Sequence, residues 1–147
     1  MANNEIETNT NKETGAATSD KDNRRILVAD DDPAILRLVT AILEKEKYSV
    51  VAARDGREAY KILQSNQQFT AAIFDVVMPH ISGPELVRFM KTEKRLMSIP
   101  VMMMTAEQDP KLSSDSFSAG AVVFLPKPFT TAQLNIMLQM LIGKATN

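Results

Sequence analysis

The chain has 147 residues, 44% of them hydrophobic and 24% charged, with a net charge of −1. That is ordinary for one globular domain with its own core, and it marks neither a nucleic-acid binder nor a polyacidic tail. There is no cysteine and one histidine, His80, which excludes disulfides, thiolate catalysis, cysteine-bound zinc and a histidine-rich metal centre.

No apolar stretch reaches membrane-spanning length and the N-terminus is polar, so no membrane association and a cytoplasmic location are expected. Residues 1–23 are rich in Asn, Thr, Glu, Asp and Lys, and Ile6 is the only large aliphatic side chain after Met1. Such a segment buries too little to offset its ordering entropy and reads as a disordered tail.

From Arg24 the pattern changes. Ile26-Leu27-Val28-Ala29 is a buried-strand run stopped by Asp30-Asp31-Asp32-Pro33. Asp32 and Pro33 suit the N-cap and first turn of a helix over Ala34 to Glu46, with Ile35, Leu38, Val39, Ile42 and Leu43 at helical spacing. Ser49 to Ala53 is a second strand. Asp55-Gly56 turns the chain into a helix from Arg57 to Gln64. Ala71 to Phe74 is the third strand, ended by Asp75, and Pro84 to Glu93 the third helix. Ile99 to Met104 is the fourth strand; its Met102-Met103-Met104 run reads as core. Asp109-Pro110 opens a helix stopped by Gly120. Ala121 to Leu125 is the fifth strand, and Thr130 with Gln133 forms a capping box for the last helix.

Five βα units in strict alternation, with short apolar strands, predict an α/β fold: a doubly wound five-stranded parallel sheet between helix layers. Such sheets place their sites at the carboxyl ends of the strands. There the sequence puts Asp30 and Asp31, then Asp75, Thr105 and Lys127. Three converging carboxylates repel one another, and a hard cation relieves that. Oxygen-only ligands favour magnesium or a similar ion. A lysine and a hydroxyl beside them could hold the oxygens of a phosphoryl group on Asp75. Each element alone is ordinary cap, turn or surface chemistry; their joint placement is the signal.

With these motifs, "ILVADDDPAI", "DGREAYKIL", "FDVVMPHISGPEL", "IPVMMMTA" and "SAGAVVFLPKPF", the chain resembles the receiver domains of two-component response regulators, including the stand-alone chemotaxis type. The resemblance runs from about Arg24 to Ile142. It implies a flavodoxin-like (βα)5 receiver fold over residues 24–143, with 144–147 as a short tail.

It also implies Asp75 as phosphoacceptor, and Asp30, Asp31, Asp75 and the Val77 backbone carbonyl as ligands of Mg2+. Thr105 is then the switch hydroxyl, Lys127 the phosphoryl-pairing lysine in a cis Lys127-Pro128 bond, and Phe124 the switch aromatic. The implied donor is a phosphohistidine on a histidine kinase or histidine phosphotransfer protein, and the protein is not an enzyme beyond its own phosphorylation. The readings kept beside this one are a phosphorylation-independent receiver-like scaffold and a receiver fragment of a longer regulator. An aspartyl-phosphate phosphatase would need an acid where Val77 stands, and a flavin or nucleotide binder would need a Gly-rich loop.

Several residues depart from the family pattern. Phe124 lacks the frequent phenol. Val77 is apolar where many members are polar, which predicts slow self-dephosphorylation; Glu107 could act the other way by positioning water. His80 reads as a solvated loop residue. Thr130 to Ile142 carries no charge, which leaves Ile136, Met137 and Met140 beyond the Leu134, Leu138 and Leu141 that face the sheet. With Leu112, Val122 and Val123 they make a candidate docking face on the fourth helix, fifth strand and fifth helix, for a downstream protein or a homodimer. The serine-rich fourth helix is expected to be marginal. No direct nucleic-acid partner is expected.

Overall fold

The computed structural model describes residues 24–106 and 109–146; the expectations for residues 1–23 and Glu107 lie outside the described residues. Five strands alternate with five helices: β1 (Arg25–Ala29), α1 (Pro33–Lys45), β2 (Ser49–Ala53), α2 (Gly56–Leu63), β3 (Ala71–Asp75), α3 (Gly83–Thr92), β4 (Val101–Thr105), α4 (Pro110–Ala119), β5 (Val123–Pro126) and α5 (Thr131–Thr146). All strand pairs are parallel, in the order β2-β1-β3-β4-β5. This is the flavodoxin-like doubly wound fold. From β1 the chain adds β2 on one side, then returns to add β3 on the other. The order therefore reverses between β1 and β3, and a crevice opens at their carboxyl ends.

The period of two in a strand sends alternate side chains to opposite layers. Leu27, Ala72, Phe74 and Met103 pack with Ala59, Leu63, Leu86, Val87 and Met90 of α2 and α3. Ile26, Val28, Ile73, Met102 and Met104 pack with Val39, Leu43, Leu134, Leu138 and Leu141 of α1 and α5. The Met102–Met104 run is fully buried, as a central strand between two layers requires.

Local signals set the helix starts. Asp32, Asp55 and Asp109 are N-caps whose side chains accept from Ala34, Glu58 and Lys111 backbone N–H groups. Thr130 and Gln133 form the expected reciprocal pair: Gln133 N–H donates to Thr130 Oγ1 at 3.0 Å, and Thr130 N–H donates to Gln133 Oε1 at 2.8 Å. A second capping box joins Ser82 and Glu85 at the start of α3. Gly120, at φ 123°, ends α4; a β-carbon is disfavoured there.

Tertiary packing corrects some sequence expectations. On α1 the expected Val39, Ile42 and Leu43 are buried and Ile35 is half-buried against the core, but Leu38 is exposed and Leu36 is buried in its place. β4 and β5 begin two residues late, and β4 includes Thr105. Pro100 accepts from Ala72 N–H through its carbonyl but has no N–H to give to the ladder. Val123, expected on a docking face, is 6% exposed. It points with Leu125 into the layer that α5 covers, because the pleat gives that side of β5 to the core. Leu112 and Val122 are half-buried against the two cores. α5 runs on to Thr146, past the charge-free stretch.

Candidate functional site

The strand ends deliver the site. Asp30 directly follows β1 and is fully buried. Its Oδ1 accepts from Asp32 N–H at 2.9 Å, and its Oδ2 accepts from Lys127 Nζ at 2.7 Å. Asp31, next to it, is exposed. Asp75 ends β3 and is 6% exposed. One oxygen from each of these three carboxylates lies within 4.8 Å of the others. Thr105 ends β4 and is buried, in register with Pro126 of β5. Lys127 follows β5, in a cis bond to Pro128.

Asp75 is poorly satisfied by the protein groups around it. Its Oδ1 is buried with no hydrogen-bond partner. Lys127 Nζ stands 3.6 Å from it, too far for a hydrogen bond. Burial, followed by the negative charge of Asp30, pushes the Asp75 carboxyl up to about 7; Lys127 opposes this and Asp31 adds to it. A buried acceptor without a donor is costly, and an oxygen-only donor set around it fits a hard divalent cation. The residues present therefore fit a metal held by Asp30, Asp31 and Asp75.

The close partner of Lys127 is Asp30, and Asp75 is only the second. The 97-residue separation of Lys127 and Asp30 is bridged by the fold, and no local pattern announces it. Val77 is 52% exposed, between the buried Val76 and Met78, so its side chain points out of the loop after Asp75. Phe124 is half-buried and packs at 6.2 Å between ring centroids against Phe117 of α4. Phe117 went unnoticed in the sequence because α4 is serine-rich and weakly patterned. Ile136 and Met140 are 59% and 47% exposed, and Met137 is half-buried.

A family model for the response regulator receiver domain matches residues 26–139. The chain belongs to the receiver domain family. This receiver domain is 34% identical over 122 residues to the response regulator MprA of Mycolicibacterium vanbaalenii, an alignment covering 83% of this chain and 52% of MprA. It spans about half the length, or less, of the curated relatives it matches.

Among solved structures it resembles a CheY-like receiver domain protein from Methanospirillum hungatei, with a TM-score of 0.77 and 29% identity over 84% of this chain and 96% of that one. It also resembles the receiver domain of the sensor histidine kinase PA1611 from Pseudomonas aeruginosa, which has magnesium coordinated in its active-site cleft; the TM-score is 0.75, with 27% identity over 82% of this chain and 98% of that one. No helix among the described residues is long and apolar enough to cross a membrane.

Proposed function

We propose that this receiver domain takes a phosphoryl group onto Asp75 from a phosphohistidine of a histidine kinase or histidine phosphotransfer protein, with Mg2+, and so switches its protein contacts in a phosphorelay. The observation that carries this reading is the convergence of Asp30, Asp31 and Asp75 within 4.8 Å, with Lys127 against them, in a chain of this family. An Asp75 carboxylate oxygen forms the new O–P bond while the P–N bond to the donor imidazole breaks. The electron pair leaves with the ring nitrogen, which takes up a proton.

Asp30, Asp31, Asp75 and the Val77 carbonyl would hold the metal. When bound, it supplies positive charge to the phosphoryl oxygens and favours the ionised form of Asp75. Lys127 can swing from Asp30 to a phosphoryl oxygen, and the Thr105 hydroxyl can donate to another. Movement of Thr105 would draw Phe124 inward and change its contact with Phe117, which links the site to α4. Uptake of a phosphoryl group from a small acyl phosphate, followed by mass, tests the reading directly.

The exposed Val77 side chain stands at the mouth of the site and offers no hydrogen bond to an incoming water. We expect a phosphoryl half-life of minutes or longer in magnesium buffer, and Val77→Asn to shorten it about tenfold, close to 1.4 kcal/mol in barrier. Release of inorganic phosphate from the purified phosphoprotein measures this; a wild-type half-life of seconds would contradict it.

The output surface would be α4-β5-α5, through Ile136, Met137 and Met140 with the half-buried Leu112 and Val122; Val123 is excluded by its burial. Met140→Lys places a charge on that apolar face and should weaken phosphorylation-dependent self-association or target binding at least about tenfold, with phosphoryl uptake unchanged. Sedimentation of the phosphorylated variant and wild type checks it, and equal association would remove α5 from the output surface.

A further inference from the structure

The loop from Val76 to Ser82 carries Val77, and the structure shows how it is held. At its base Gly83 N–H donates to the Val76 carbonyl at 2.9 Å. A β-carbon on Gly83 would stand 2.5 Å from the Asp75 carbonyl oxygen, so only glycine lets α3 start against the end of β3. Across the loop lies the first turn of α2. There a β-carbon on Gly56 would stand 1.9 Å from the Ile81 carbonyl oxygen and 2.6 Å from its carbon. The two backbones touch, and nothing flexible lies between them to yield.

One residue on, the Arg57 guanidinium donates to His80 Nδ1 at 2.9 Å. Arginine has only donors, so His80 accepts here with its hydrogen on Nε2. His80 is also held at φ 73°, a left-handed conformation that costs free energy for any residue but glycine and persists only where surroundings impose it.

We propose that Arg57 and His80 are positioning residues for the metal: their contact, seated on the Gly56–Ile81 backbone approach, holds the loop at the height where the Val77 carbonyl can serve as a ligand. This rests on the phosphoacceptor reading above. Magnesium demands near-ideal octahedral geometry at short distances, so a carbonyl on an unanchored loop is a poorer ligand than the same carbonyl held in place. The carboxylate cluster that would hold the metal is Asp30, Asp31 and Asp75 and does not include His80, and arginine offers donors only. Their effect passes through the backbone between His80 and Val77.

Calorimetric titration of the purified full chain with magnesium chloride tests this, using wild type, Arg57→Ala, His80→Gly, the double variant and Asp31→Asn. We expect each single variant at the clamp to bind magnesium about tenfold more weakly, as loss of supporting partners typically does, and the double variant to be no weaker than either. Two signs separate positioning from simpler causes. Removing the positive charge of Arg57 would not by itself weaken cation binding, so weaker binding by Arg57→Ala reports lost position. His80→Gly relieves the left-handed strain, so its metal-free melting temperature should equal or exceed that of wild type while its magnesium affinity falls.

Wild-type affinity in both Arg57→Ala and His80→Gly overturns the inference, while weak binding by Asp31→Asn would still support the metal site. Weakening by His80→Gly alone also overturns it, since loop flexibility then suffices. Absence of magnesium binding by wild type would overturn the site reading and this inference together.

Discussion

Asp75→Asn should take up no phosphoryl group from a small acyl phosphate in magnesium buffer, whereas wild type gains the mass of one. The amide is nearly isosteric with the carboxylate, so the fold and the Lys127–Asp30 pair (2.7 Å) should persist, yet it has no anionic oxygen to attack phosphorus. The expected loss is at least about 1,000-fold in rate, beyond the reach of general binding effects. Chelating the metal should abolish wild-type uptake as well, because Asp30, Asp31 and an ionised Asp75 cannot admit another anion unaided. Lys127→Ala should retain uptake at a reduced rate but lose the coupling to partner binding. Intact mass and peptide mapping decide the matter: a phosphoryl group on Asp75→Asn at another residue would remove Asp75 from its role.

The same substitution should stabilise the metal-free protein, and the pH dependence gives the sign. The Asp75 carboxyl titrates near 7 in the folded protein, against 3.8 for its ordinary value, chiefly through burial and then the Asp30 charge. Below the lower value it is protonated in both folded and unfolded chains and costs nothing. Between them the folded state binds more protons, so its stability falls as pH rises, and the full cost is reached above pH 7.

A rise from 3.8 to about 7 would correspond to about 4 kcal/mol, and solvent rearrangement around the site reduces this to about 2 kcal/mol. In chelator at pH 8, Asp75→Asn should therefore melt about 5–10 °C above wild type, with the gap closing toward pH 4. Magnesium should raise the wild-type melting temperature and leave the variant nearly unmoved, since a ligand stabilises only the state it binds. A variant that melts below wild type at pH 8 would show that Asp75 is better satisfied than its unpartnered Oδ1 implies.

Stability given up at Asp75 fits a residue whose resting environment suits its reacted form better. The carboxylate is placed among other acids, with its best counter-charge committed elsewhere: Lys127 sits on Asp30. A cation and a phosphoryl group would relieve both features together, which is how a local charge change can shift the balance between two conformations.

Much of this was legible in the sequence because the signals are local. Strand periods, the Asp32 cap, the Asp109-Pro110 helix start and the Gly120 stop are set by neighbours within a few residues. Asp30, Asp75, Thr105 and Lys127 could be placed at strand ends because alternation of strands and helices leaves a doubly wound sheet as the packing solution. The face of α1 could not be read so well. Apolar Leu38 fitted the periodicity as well as Leu36 did, and only the position of β1 and β2 beneath the helix chose Leu36. Val123 was misplaced for a related reason: apolar residues on an edge strand look alike whether they face a covering helix or solvent.

The βα alternation, the parallel sheet and the carboxylates that meet at its carboxyl end follow from periodicity, caps and chain direction, all carried by neighbouring residues. Tertiary structure alone decided that Lys127 rests on Asp30, that Phe124 leans on Phe117, and that Arg57 and Gly56 grip the loop at His80 and Ile81. Those contacts join residues on separate elements. Their geometry is set by how layers of side chains pack around a shared core, and no local sequence pattern encodes it.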